Sequence, residues 1–239
     1  MRISTERLQA VQDNINKAVT KRDPQHIINL HGEVTLLAVS KAQPAEKLRE
    51  AYAAGQTKFG ENYLQEALNK QAELRGLNIE WHFIGPIQSN KTLPIAQHFS
   101  WVHGVDRLKI AQRLSDGRPA DLEPLQICLQ VNISKEASKS GVAPNELLAL
   151  VKGVSVLPRI RLRGLMTIPE PTNDEALQRQ QFKQMRDLLN DLNKQSFGLD
   201  TLSMGMSNDY NIAIEEGATI VRIGSAIFGA RPAKFILEY

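Results

Sequence analysis

The sequence predicts an α/β chain folded as a single (β/α)8 TIM barrel with an extra N-terminal helix. Three observations carry that prediction. Short β-rich runs recur along the chain, a helical stretch follows nearly every run, and the runs end in polar or glycine residues. About eight strands alternating with about eight helices imply parallel pairing, because each helix supplies the crossover between neighbours. A chain of 239 residues accommodates that many units as one domain, expected over residues 1–239. An open doubly wound sheet is the competing architecture.

The first segment reads as a helix: Leu8, Val11, Ile15, Ala18 and Val19 recur at helical spacing, and Pro24 and Gly32 punctuate the exit. The predicted strands are Val34–Ser40, Thr57–Gly60, Trp81–Gly85, Trp101–Val105, Leu125–Ile133, Ile160–Met166, Thr201–Met204 and Thr219–Ile223. Helices are expected to start near Pro44, Asn62, Asn90, Asp106, Pro144, Thr172 and Ser207. Pro144 suits a first helical position. Thr172 and Glu175 have capping-box spacing ahead of Phe182, Met185, Leu189 and Leu192. Gly217 offers a left-handed stop for the helix after Ser207.

Composition narrows the function classes. Hydrophobic residues make up 42% of the chain, enough for a core without metals or disulfides. The one cysteine, Cys128, excludes an internal disulfide and fits a reducing, cytoplasmic setting. No secretory signal opens the sequence, and no apolar run approaches the roughly 18 residues that span a bilayer, so no membrane partner is expected. A net charge of +3, spread along the chain, permits an anionic small ligand but does not describe a nucleic-acid surface.

In a barrel, ligands sit at the carboxyl ends of the strands, so the residues just after each strand are the informative ones. Lys41 follows the apolar run Leu36-Leu37-Ala38-Val39 by one serine. A lysine leaving a buried strand is partly desolvated, which favours the neutral amine that forms an imine with an aldehyde; the alternative is a rim lysine that snorkels into solvent. Ser203-Met204-Gly205-Met206-Ser207 and Gly224-Ser225-Ala226-Ile227-Phe228-Gly229 follow the last two strands, where this fold recurrently binds phosphate. Two ordinary glycine turns, with Ser207 as a helix cap, are the alternative. Arg222 alternates with Val221 and Ile223 on a short buried strand, so its donors need acceptors. Either a carboxylate such as Asp106 or Glu61 pairs with it, or it is aimed at a ligand ring nitrogen.

His82 is expected either to line the barrel interior toward a ligand or to be a hydrogen-bonded core residue, and no second histidine has zinc-ligand spacing from it. Asn62, Asn90 and Lys91 orient a ligand or cap helices. Cys128, between Ile127 and Leu129, is expected to pack.

With these residues in place, the chain resembles the pyridoxal phosphate homeostasis proteins (the YggS/PROSC family). The stretches that carry the resemblance are Leu36–Lys41, Phe59–Tyr63, Trp81–Lys91, Arg163–Met166, Ser203–Ser207 and Val221–Gly229. It implies a barrel related to the N-terminal domain of alanine racemase, with pyridoxal 5′-phosphate (PLP) as cofactor. The imine would form on Lys41, the phosphate would lie over Ser207, Gly224 and Ser225, and Arg222 would face the pyridine nitrogen. Asn62, His82 and Met204 complete the expected cofactor-binding set. Ser225 stands where relatives often have threonine and keeps the hydroxyl. The implied role is intracellular PLP homeostasis, holding the cofactor and supplying it to apo PLP-dependent enzymes, as a monomer and without catalytic turnover.

A PLP-dependent amino-acid racemase is the alternative. Such enzymes use a tyrosine from a second domain, and this chain is expected to lack that domain, since it stops about ten residues after Gly229. A cofactor-free barrel enzyme acting on a sugar phosphate is a third reading. Lys135 and Lys139, in the loop after the fifth strand, are candidates to assist release.

Overall fold

The computed structural model describes residues 5–29, 31–134 and 140–230, and its strands close into a barrel in chain order. They are β1 (Thr35–Val39), β2 (Lys58–Glu61), β3 (Glu80–Phe83), β4 (Trp101–Val105), β5 (Leu125–Gln130), β6 (Ile160–Met166), β7 (Thr201–Ser203) and β8 (Ile220–Ile223). Every neighbouring pair is parallel, and β1 against β8 closes the ring with Leu37 opposite Arg222. The open-sheet alternative is excluded by that closure.

Helices α1 (Thr5–Lys21), α2 (Ala45–Ala53), α3 (Leu64–Glu73), α4 (Thr92–His98), α5 (Leu108–Gly117), α6 (Leu147–Ser155), α7 (Glu175–Asn193), α8 (Tyr210–Glu215) and α9 (Ser225–Phe228) surround the strands. Side chains alternate across each strand. Leu36, Ala38, Phe59, Trp81, Phe83 and Val102 point outward into the helix layer and are buried there. Phe83 meets Phe99 edge-on at 5.3 Å, and each such fully buried side chain contributes roughly 1.5–3 kcal/mol. Helix α1 buries Leu8, Val11, Ile15 and Ala18, the face expected from their spacing, against α8 and α9.

Local differences from the sequence reading have local causes. Strand β5 stops at Gln130 because Val131 bridges to Val142, and Val142 donates to the Gln130 carbonyl at 2.8 Å. The chain then makes a turn at Pro144–Glu146, so α6 starts at Leu147 and Pro144 is not its first residue. At α7 the cap is Asp174, whose carboxylate accepts from the amides of Ala176 and Leu177 at 2.9 and 3.2 Å. Thr172 lies two residues further out and accepts from the Asp174 amide. Ser207 is likewise outside its helix: Asp209 precedes α8 and accepts from the Met206 amide at 2.6 Å. The Gly217 stop is as expected, with φ +102° and bonds from Gly217 to Ile214 and from Ala218 to Ala213. Among the described residues, no helix is long and apolar enough to cross a membrane.

Candidate functional site

A cavity of about 400 Å³ opens at the carboxyl ends of the strands. Lys41, Asn62, Ser207, Arg222, Gly224 and Ser225 all line it, together with the apolar Val39, Ile84 and Ile168. Six of the eight residues named from sequence thus share one cavity. Met206, part of the stretch Ser203–Ser207 but not of the expected cofactor-binding set, also lines it, as does Gln43, which the sequence did not single out.

Met204 and His82 lie elsewhere. Met204 is two residues past Leu202, so strand alternation turns it outward into the core, where it is fully buried. Met206 takes the place at the cavity. His82 faces the barrel interior but sits below the rim, stacked on Trp101 at 5.4 Å. Asn90 and Lys91 form a short turn ahead of α4, away from the cavity lining. Lys135 and Lys139 lie outside the described residues.

Lys41 is presented by a tight turn. Ala42 adopts φ +58°, a left-handed conformation uncommon for alanine. A buried ionic cluster between β1, β2 and α3 holds that turn. Lys70 donates to the Ser40 carbonyl at 2.7 Å and to Glu61 Oε1 at 2.7 Å, and pairs with Glu66. The Ser40 hydroxyl donates to Glu61 Oε1 at 2.6 Å, and the Ala42 amide donates to Glu66 Oε1 at 2.7 Å. Burial pushes the Glu61 carboxyl above its usual range, with Lys70 and Ser40 opposing that shift. The second oxygens of Glu61 and Glu66 have no hydrogen-bond partner among the described residues.

Arg222 is buried and spans two strand ends. Its Nη1 donates to the Ser203 carbonyl at 2.7 Å and the Ser203 hydroxyl at 2.9 Å, and its Nη2 donates to the Thr167 carbonyl at 2.9 Å. Neither carboxylate suggested by the sequence reaches it: Asp106 pairs with Arg107, and Glu61 with Lys70. Desolvation pulls the guanidinium down to about 10, opposed by the charge of Asp209, so it stays cationic near neutrality.

Elsewhere in the lining, the Ser225 hydroxyl donates to Ser207 Oγ at 3.3 Å. A side chain at Gly224 would bring its Cβ within 3.0 Å of the Val39 carbonyl, so glycine permits the close approach of β8 to β1 here. The amides at the start of α9 lack carbonyl partners within that helix. Amine, cationic guanidinium and paired hydroxyls around one mostly apolar cavity suit a small anionic aldehyde with an aromatic ring, and this donor set fits PLP.

Below the cavity floor runs a polar chain that sequence reading only half anticipated. Glu80, His82, His103 and Ser203 connect in that order, at 2.9, 2.9 and 2.8 Å, and Ser203 meets Arg222. His103 was not singled out, although its alternation with Val102 and Gly104 places it inward. Among the described residues no group of His, Cys, Asp and Glu could hold a metal ion. Cys128 is buried and its thiol is pushed up to about 12 by desolvation, which makes it an unreactive packing group.

Fold and cavity together define a closed (β/α)8 barrel that brings a lysine amine and a hydroxyl cradle to one carboxyl-end site. Residues 7–232 match the family described as alanine racemase, N-terminal domain. A pyridoxal phosphate homeostasis protein of Pseudomonas aeruginosa is 68% identical over 198 residues, covering 83% of this chain and 85% of its own. PipY of Synechococcus elongatus, whose structure was solved with PLP bound, is 38% identical with a TM-score of 0.80, covering 94% of this chain and 99% of its own. An alanine racemase of Clostridium difficile, 16% identical with a TM-score of 0.70, covers 96% of this chain and 58% of its own, and shares the fold. The chain belongs to the alanine racemase N-terminal domain family, on the branch of the pyridoxal phosphate homeostasis proteins.

Proposed function

We propose that this protein binds PLP as a covalent imine on Lys41 and serves PLP homeostasis, holding the cofactor and supplying it to apo PLP-dependent enzymes in the cytoplasm. The observation that carries the reading is the convergence of Lys41, Arg222, Ser207 and Ser225 on one cavity. The likeness to the pyridoxal phosphate homeostasis protein of Pseudomonas aeruginosa supports it, as does the PLP bound to PipY.

Each residue has a defined task. The Lys41 amine, fixed by its turn, would hold the aldehyde carbon as an imine, with the aldehyde oxygen leaving as water. Ser207 and Ser225 offer hydroxyl donors to the phosphate, beside the first amides of α9. Val39, Ile84 and Ile168 provide the apolar wall for the ring. Arg222 is the residue that would meet the ring nitrogen. Bound PLP supplies an electron sink, and that sink is strongest when a carboxylate keeps the ring nitrogen protonated. Arg222 accepts no proton, and its hydrogen bonds to Ser203 and Thr167 leave it a donor-only cation. Facing the ring nitrogen, it would leave that nitrogen unprotonated and the sink weak, which suits storage and transfer of the cofactor over amino-acid chemistry.

The test is borohydride reduction of the PLP-loaded protein followed by peptide mass spectrometry. The pyridoxyl adduct is expected on Lys41, and Lys41→Ala should abolish it with the fold intact, since Lys41 is at the rim. An adduct mainly on Lys91 or Lys139 overturns the assignment. Loaded protein incubated with single L-amino acids in heavy water should show no enzymatic α-deuterium incorporation; exchange on the order of 1 s⁻¹ would make the protein an enzyme.

A further inference from the structure

The polar chain beneath the cavity has a direction that its chemistry dictates. Glu80 lies at the amino-terminal end of the barrel, half exposed, beside Lys58 at 3.8 Å. Its carboxyl is held below the usual range, first by the hydrogen bond from His82, so it is an ionised acceptor. His82 Nε2 must then carry the proton. Burial pulls His82 down, so the ring is neutral and its Nδ1 is an acceptor. His103 Nε2 therefore donates to it at 2.9 Å. His103 is held well below its usual value, by burial first and then by its electrostatic interactions with His82 and Arg222, so its Nδ1 is also an acceptor. The Ser203 hydroxyl donates to that Nδ1 at 2.8 Å and accepts from Arg222 Nη1 at 2.9 Å. Each hydrogen bond of the chain has one direction, and every proton points away from the cavity.

We infer that Glu80, His82, His103 and Ser203 are positioning residues: a one-way hydrogen-bond chain through the barrel that orients Arg222 and couples it to a carboxylate at the opposite mouth. This inference rests on PLP being the ligand of the cavity. Arg222 is the member that lines it, and the other four do not touch the ligand space. Chains of aligned bonds polarise one another, more strongly in a buried setting than in water. The negative end at Glu80 draws the Arg222 donor toward Ser203 and sets how much positive charge remains toward the ring nitrogen. Trp101 stacks on His82 with planes 5° apart and fixes its ring. The charged groups that face the two rings are Glu80, Lys58 and Arg222.

Two measurements on the full chain test this. The first is 15N NMR with labelled histidine, which reads tautomers without reference to PLP. His82 and His103 should both be neutral with the proton on Nε2, from neutral pH to below the ordinary histidine value of 6.5. A proton on Nδ1 of either ring, or titration at the ordinary value, overturns the chain.

The second is titration with PLP. His103→Leu and Ser203→Ala should weaken PLP binding by about three- to tenfold, the effect of losing one neutral hydrogen bond, and should move the pH midpoint of the visible band. His103→Gln, whose amide can donate to His82 and accept from Ser203, should recover both. Glu80→Gln, distant from the cavity, should move the midpoint while leaving the adduct on Lys41. Native affinity and midpoint in His103→Leu and Ser203→Ala would sink the coupling. Failure of the unaltered chain to take up PLP would instead remove the functional reading, and the coupling with it.

Discussion

Two buried polar groups flank the cavity, and they are built on opposite principles. The cluster of Ser40, Glu61, Glu66 and Lys70 lies outside the strand ring, is ionic, and carries two carboxylates for one ammonium. The chain of Glu80, His82, His103, Ser203 and Arg222 lies inside the ring and carries its charges only at the two ends. The cluster grips backbone, namely the Ser40 carbonyl and the Ala42 amide, so it fixes where Lys41 leaves the strand. The chain grips one side chain and sets its orientation. Charge at high density can hold a strained turn, because each ionic bond is strong and tolerant of angle. A defined orientation instead asks for neutral groups with one donor and one acceptor each.

Breaking the ionic group should have the larger effect on stability. Lys70→Met leaves two carboxylates buried without their ammonium, and a broken buried pair costs about 3–5 kcal/mol. Urea unfolding should show that loss, and Lys70→Met combined with Glu61→Gln should recover part of it. A change below about 1 kcal/mol would mean that the cluster does not support the Lys41 turn.

Ser207 and Ser225 sharpen the comparison from the ligand side, since neither belongs to either group. Replacing both by alanine removes two hydroxyl donors to a charged acceptor, each worth roughly 1.5–3 kcal/mol before relaxation. PLP binding should weaken accordingly, with thermal stability of the unliganded chain almost unchanged. Pyridoxal, which lacks the phosphate, should bind the native chain far more weakly than PLP. Equal affinities would remove the phosphate cradle from these loops.

The smallest effect separates the two groups by sign. Glu61 is raised by burial, so the folded state holds its proton above the ordinary value of 4.5, and its contribution to stability falls as pH rises from there. His82 and His103 are lowered, so their contribution is complete above about 6.5 and is lost as pH falls below it. Between these two values the groups oppose each other. Glu61→Gln should make stability rise more steeply with pH there, by up to about 1.4 kcal/mol per pH unit for one group. His103→Gln should make it rise less steeply. Denaturant midpoints across this range measure both slopes, and shifts of the same sign would refute the division.

The barrel and most of the cavity were legible in the sequence because each follows from period and position. β-rich runs alternate with helices, and the cavity-lining residues stand at the strand ends or in the loops that follow them. Met204 shows the limit: it keeps the outward side of β7 and is buried in the core, and the chain leaves the strand conformation at Gly205, with φ +92°, so Met206 is the residue that lines the cavity. Glu66 and Lys70 were hidden for another reason. At i and i+4 on a helix they look like a solvent-exposed ion pair, and only packing beneath the Ser40 turn makes them a buried support. His82 and His103 are distant in sequence and face each other only after β3 pairs with β4.

The closure of β1 on β8 also has a consequence for the order of synthesis. Lys41 leaves the ribosome early, whereas Arg222, Gly224 and Ser225 arrive with the last strand of the ring. A growing chain can pair its early strands as they emerge, but the cavity exists only once β8 has docked between β7 and β1. A nascent chain therefore carries Lys41 long before Arg222, Gly224 and Ser225 complete the lining around it. Retention of the cofactor then marks a finished molecule.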